Sequence, residues 1–153
     1  MIRQQSFSNE KPTLYLVPTP IGNLDEMTPR AIEILRAVDV IAAEDTRNTM
    51  KLLQVFDIHT RLIAHHSHNE RESAKGLLNL LEQGQSVAVV SDAGYPLISD
   101  PGQNIVEQVT AAGYNVVPVS GCSASINALV ASGLKSKAFF PAMTVNVCGS
   151  WKG

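Results

Sequence analysis

At 153 residues the chain has room for one globular domain or a small pair, which excludes a large multidomain machine. Its residues are 44% hydrophobic, 17% charged and 5% aromatic, and a domain of this size can remove roughly 68–70% of its unfolded surface from water without metal or disulfide staples. Twelve Lys plus Arg against fourteen Asp plus Glu leave a formal charge of −2, without the basic excess of a dedicated nucleic-acid-binding domain. The two cysteines, Cys122 and Cys148, fit no C-x-x-C spacing and are too few for a disulfide framework, so a reducing cytoplasm is expected. The leader, residues 1–12, is polar, and no stretch approaches the ~18 consecutive apolar residues of a spanning helix. A cytoplasmic protein with no membrane partner follows as the expectation.

In chain order, Thr13–Val17 is a nearly continuous apolar run ended by Pro18, the pattern of a strand buried on both faces. Thr28 followed by Pro29 supplies a cap and a first-turn proline for a helix to about Ala37, with Ile32, Leu35 and Arg36 at helical spacing. Val38–Ala42 reads as a second strand. Arg47–Phe56 reads as a helix turning Met50, Leu53, Val55 and Phe56 inward. Leu62–Ala64 is a short third strand, and Asn69 caps a helix over Glu70–Gln83, with Glu70 and Glu72 in its positive first turn and Gly84 past its end. Ser86–Ser91 is the clearest buried strand. Helix Gln103–Ala112, stopped by Gly113, strand Tyr114–Val119 and helix Ser123–Ser132 complete the alternation. The expected fold class is α/β, a mainly parallel five-stranded sheet with helices on both faces.

Ligands of open parallel sheets bind beyond the carboxyl ends of the strands, which directs attention to the loops after each strand. The first, Pro18–Asp25, holds one glycine and matches neither the dinucleotide nor the P-loop pattern. Ser91–Gly102 (SDAGYPLISDPG) packs two glycines, two prolines and two aspartates into twelve residues after the best strand. Gly94 permits close approach and Pro96 and Pro101 fix φ, so its backbone can be preorganised around a ligand. It can equally be a tight turn with Asp100 capping the next helix. In Ala43–Arg47 (AEDTR), Glu44 or Asp45 can take a proton and Arg47 can hold a phosphate. The same residues can serve structure instead, with Asp45 or Thr46 as a cap and Glu44 paired to Arg47. The histidines of His65–Asn69 lack the cysteine or H-E-x-x-H company of a metal site, and no metal is expected. Cys122 has no evident adjacent base.

Four segments in collinear order carry a resemblance: Leu16–Ala31 (LVPTPIGNLDEMTPRA), Ala43–Arg47, Ser91–Gly102 and Asn127–Leu134 (NALVASGL). Together they resemble the tetrapyrrole-methylase-like, class III family of S-adenosylmethionine methyltransferases, and within it the branch acting on ribosomal RNA. The resemblance covers about 13–134. It implies methyl transfer from S-adenosylmethionine to the ribose 2′-hydroxyl of a cytidine in small-subunit ribosomal RNA, free or in the assembled small ribosomal subunit, by a homodimer of two-domain subunits. It further implies that Pro18, Asp92, Ala93, Gly94, Tyr95, Ile98, Ser123 and Ala124 line the cofactor pocket. Glu44 and Asp45 fall where related methylases carry an acid near the reaction, and Arg47 where it can hold the RNA backbone.

Two departures qualify the match. Tyr95 stands where many relatives carry Thr, and residues 135–153 form an atypical tail in place of the family's second domain. Weak cofactor binding by this chain alone is the expectation. Competing readings are a tetrapyrrole-precursor methylase on the same fold and a non-catalytic cofactor- or partner-binding domain.

Overall fold

The computed structural model describes residues 10–65, 70–97 and 103–133. Two compact units divide the chain, Met1–Ser123 and Ala124–Gly153. The first is built from β1 (Thr13–Leu16), α1 (Pro29–Ala37), β2 (Val40–Ala43), α2 (Thr46–Val55), β3 (Arg61–Ala64), α3 (Glu70–Glu82), β4 (Val87–Val90), α4 (Gln103–Ala111) and β5 (Asn115–Pro118). In the second, the described structure is α5 (Ala124–Ser132), whose Ser132 hydroxyl donates to the Leu129 carbonyl at 2.8 Å.

The strands form one sheet in the order β3-β2-β4-β1-β5, and every pairing is parallel. Strict alternation sends the two halves of each central strand to opposite faces. Val40, Ala42, Val87 and Val89 enter a core with Leu77 and Leu81 of α3 and Ile105 and Val109 of α4. Ile41, Ala43, Ala88 and Val90 enter another with Ala31 and Leu35 of α1 and Leu53 of α2. Topology explains this division. The connections β1–α1–β2 and β2–α2–β3 run one way across the sheet, while β3–α3–β4 and β4–α4–β5 run back. A right-handed crossover whose direction reverses must place its helix on the other face. The five-stranded α/β layout expected above is therefore the one observed.

Local differences have local causes. Val38 is not the start of β2: its amide donates to Ile34 O at 3.0 Å and closes the end of α1. On α2, Thr49 and Leu53 are buried, whereas Met50 and Val55 are 47% and 59% exposed. Positions 49, 53 and 56 make the inward stripe because they follow the helical spacing i, i+4, i+7, which Met50 and Val55 do not share. A single 3-10 turn, Leu24–Glu26, not anticipated in the first loop, is capped by the Asn23 side chain accepting from Asp25 N at 3.1 Å. Asn69, Asp100 and the tail from 134 onward lie outside the described residues.

Candidate functional site

The chain leaves β1 toward β2 and leaves the neighbouring β4 in the opposite direction, toward β5. The carboxyl ends of β1 and β4 thus flank the switch point where open α/β sheets leave a crevice. Pro18–Asp25 and the segment beginning at Ser91 are the loops at that point, and they are tied together. Thr19 N donates to Gly94 O at 3.0 Å and Gly94 N to Thr19 O at 2.9 Å, a one-residue antiparallel bridge. Thr19 Oγ1 donates to Ser91 O at 3.0 Å, and Ser91 Oγ to Gly94 O at 3.0 Å. Gly94 takes a φ of +76°, open to glycine at little cost. A Cβ there would stand 3.4 Å from Ile21 Cδ1 and 3.8 Å from Cys122 O, so three strand-end loops converge on this residue.

The loop after β5 is fastened by other means. Tyr95 extends back to it, and its hydroxyl donates to the Val119 carbonyl. Partial burial pushes the Tyr95 phenol above its ordinary pKa, which keeps this donor protonated. Gly121 lies against the Pro18 ring so closely that a Cβ would fall 2.5 Å from Pro18 Cγ. The thiol of Cys122 donates to Glu26 O at 3.5 Å and lies 3.7 Å from a Glu26 carboxylate oxygen, tying the β5 loop to the 3-10 turn.

Of the residues that the motifs assign to cofactor binding, Pro18, Asp92, Ala93, Gly94, Tyr95 and Ser123 belong to these three loops of the first unit. Pro18 and Gly94 are buried within the junction, Tyr95 is half-buried, and Asp92 and Ala93 are exposed. Ile98 lies outside the described residues. Ala124 is the first residue of α5 and belongs to the second unit. Thr19 and Gly121 also belong to the junction, although no motif in the sequence points to them. The signals for them were a hydroxyl between two prolines and a glycine after the last strand, each too common to single out.

The charged cluster after β2 is differently employed. Asp45 caps α2, its Oδ1 accepting from Arg47 N at 2.9 Å and Asn48 N at 3.4 Å. The Arg47 amide hydrogen bond holds the Asp45 carboxyl below its ordinary pKa, against the opposing cost of desolvation. Arg47 Nε lies 3.5 Å from the same oxygen, so its ion pair is with Asp45 rather than with Glu44. Glu44 is exposed, with no hydrogen-bond or ion-pair partner among the described residues. After β3, the His65 amide donates to Ala43 O at 2.8 Å and its Nδ1 hydrogen-bonds the Ser73 hydroxyl. His66 and His68 lie outside the described residues.

Beside this cluster a groove of about 370 Å³ runs between the β1 loop and α2. Leu24, Asn48, Lys51 and Val55 line it, and Ser91 and Asp92 bring it to the start of the β4 loop.

Strand order and two-faced helix cover define an open parallel α/β domain with the loops of β1, β4 and β5 gathered at its switch point. The chain belongs to the tetrapyrrole (corrin/porphyrin) methylase family, whose model matches residues 13–145 and so runs past Leu134. It is 55% identical over 139 residues to the ribosomal RNA small subunit methyltransferase I of Escherichia coli O157:H7, covering 91% of this chain and 49% of that protein. The protein of the same name from Bacillus subtilis (strain 168) is 51% identical over 140 residues, covering 90% of this chain and 48% of its own length. The chain therefore spans about half the length of these curated relatives. Among solved structures, uroporphyrin-III-C-methyltransferase from Thermus thermophilus superposes with a TM-score of 0.61 at 22% identity, covering 81% of this chain and 54% of that one. That likeness concerns the fold.

Proposed function

We propose that this chain supplies the N-terminal domain of an S-adenosylmethionine-dependent methyltransferase that modifies the ribose 2′-hydroxyl of a cytidine in small-subunit ribosomal RNA, acting as a homodimer. One observation carries the proposal: more than half of the aligned residues match those of proteins named ribosomal RNA small subunit methyltransferase I, over nine-tenths of the chain. The crevice fits the cofactor chemically. Its junction is set by the positive φ of Gly94, +76°, which suits glycine, and the exposed Asp92 near it in the chain offers acceptors for a nucleoside's hydroxyls or an amino acid's ammonium. Pro18, Asp92, Ala93, Gly94, Tyr95, Ile98, Ser123 and Ala124 are the residues proposed to hold it. When bound, S-adenosylmethionine supplies an electrophilic methyl group.

A neutral ribose hydroxyl is a poor nucleophile, so the chain's contribution is placement and removal of a proton. Asp45 and Glu44 divide the work in this proposal. Asp45 holds the first turn of α2 and is already occupied by two backbone amides, which makes its carboxylate the weaker base. Glu44, adjacent and unpartnered among the described residues, accepts the hydroxyl proton, and Arg47 holds an RNA phosphate.

The test is methyl transfer from labelled cofactor to unmodified small ribosomal subunits by the intact parent polypeptide, with a corrin precursor as the rival acceptor. Glu44→Gln is expected to lower turnover by 10²-fold or more, in line with roughly 10²–10⁴-fold for general base catalysis. Asp45→Asn should have a smaller effect, because an amide oxygen still caps the helix. Equal turnover in Glu44→Gln and wild type removes Glu44 as the base. Transfer to the corrin precursor alone removes the RNA assignment.

A further inference from the structure

α2 has two working faces. Thr49 and Leu53 are buried in the core, while Asn48, Lys51 and Val55 face the groove opposite Leu24. Val55 is 59% exposed and Leu24 49% exposed, so the groove carries apolar surface that the described chain leaves uncovered. Lys51 lines the same groove, and Arg47 stands four residues earlier on the helix. Side chains at this spacing neighbour one another, at about 5–6 Å between Cβ atoms. The Arg47 side chain is 88% exposed, with Asp45 Oδ1 at 3.5 Å. Lys51 has no hydrogen-bond or ion-pair partner among the described residues.

We infer that this groove receives the RNA segment flanking the methylated nucleotide, with Lys51 pairing to a backbone phosphate and the Leu24 and Val55 surface lying under sugar and base. The inference rests on the ribosomal RNA methyltransferase reading and adds to it the path of the substrate. Charge favours a polyanion. The chain as a whole carries −2, yet α2 presents Lys51 on the groove wall and the exposed Arg47 one turn earlier; the acid on the lining is Asp92, which the groove shares with the β4 loop, and Asp45 is paired to Arg47. Continuity favours the substrate over an unrelated partner, because Ser91 and Asp92 are shared between the groove and the β4 loop that flanks the crevice. An acceptor strand lying on α2 would therefore lead directly to the switch point. Asn48, also on the groove wall, presents an amide that can donate to phosphate or sugar oxygens.

The experiment compares Lys51→Ala, Lys51→Glu and Lys51→Arg in the intact parent polypeptide, measuring affinity for a small-subunit RNA fragment across a salt series and, separately, affinity for S-adenosylmethionine. Each lost phosphate contact lowers the salt slope by about 0.7 for a single strand, and affinity by about three- to tenfold. Lys51→Ala is expected to show both changes, Lys51→Glu a larger loss, and Lys51→Arg near-wild-type behaviour, all with cofactor affinity unchanged. Wild-type affinity and salt slope in Lys51→Glu would overturn the groove assignment while leaving the methyltransferase reading intact. A wild-type parent that binds and methylates no small-subunit RNA overturns both. Weaker binding with an unaltered salt slope would mean that the occupant is not a phosphate backbone and would also overturn it.

Discussion

The carboxyl ends of β1, β4 and β5 and the carboxyl end of β2 lie on the same edge of one parallel sheet, yet they are built in opposite ways. Around Gly94 the loops are cross-tied by reciprocal backbone hydrogen bonds to Thr19, a tyrosine reaching Val119 and a proline seated on Gly121. After β2 the chain emerges into solvent with Glu44 and Arg47 exposed, and the Asp45 cap holds the turn into α2. The two constructions suit different kinds of ligand. A small ligand of fixed shape is best met by a backbone that does not have to be ordered on binding. A long polyanion approached from solvent is best met by charges that remain accessible.

The largest expected effect comes from breaking the tied region where it has least room. Gly121→Ala places a Cβ 2.5 Å from Pro18 Cγ, and either the ring or the β5 loop must move. A destabilisation of about 1–3 kcal/mol, typical of overpacking, should appear in urea unfolding of the chain, and cofactor affinity of the intact parent should fall more than about tenfold, the equivalent of 1.4 kcal/mol. An unchanged unfolding midpoint would show that the Pro18–Gly121 contact is dispensable.

Tyr95→Phe is gentler, since it deletes one hydroxyl and leaves the ring. The Val119 carbonyl loses its side-chain donor, at about 1 kcal/mol. Calorimetry with S-adenosylmethionine should then show weaker binding, while the salt dependence of RNA binding stays as in wild type. A change in the salt slope would mean that the two regions are not independent.

The smallest effect belongs to the open region and concerns pH. Asp45 has a folded pKa below its ordinary 3.8, so the folded state holds its proton less tightly than the unfolded chain. Its stabilising contribution is complete above about pH 4–5 and is lost as pH falls through the depressed folded value. Acid unfolding of Asp45→Asn should accordingly show a shallower decline over that interval than wild type. Identical acid limbs would remove the cap's charge from the account of α2.

Much of this architecture was legible in the residues because each strand is a short, uninterrupted apolar run and each helix has its own start signal. Thr28 does cap α1, its Oγ1 accepting from Ala31 N at 3.1 Å, and Asp45, one of two candidates, caps α2. The departure from that pattern is on α2. Val55 and Met50 are hydrophobic but fall off the 49, 53, 56 stripe, so they meet solvent. The same displacement gives the groove beside α2 its apolar surface.

What the amino-acid order determined on its own was local: strand and helix spans, caps and the stiffness of the segment after β4. All of these depend on neighbours within a few positions. Only the tertiary structure decided that β4 inserts between β2 and β1, that Thr19 bridges to Gly94, and that Lys51 and Asp92 share a groove. Those relations join residues dozens of positions apart. They arise because reversing the crossover direction brings the β1 and β4 ends side by side, and no periodicity in the chain encodes which distant loops will then meet.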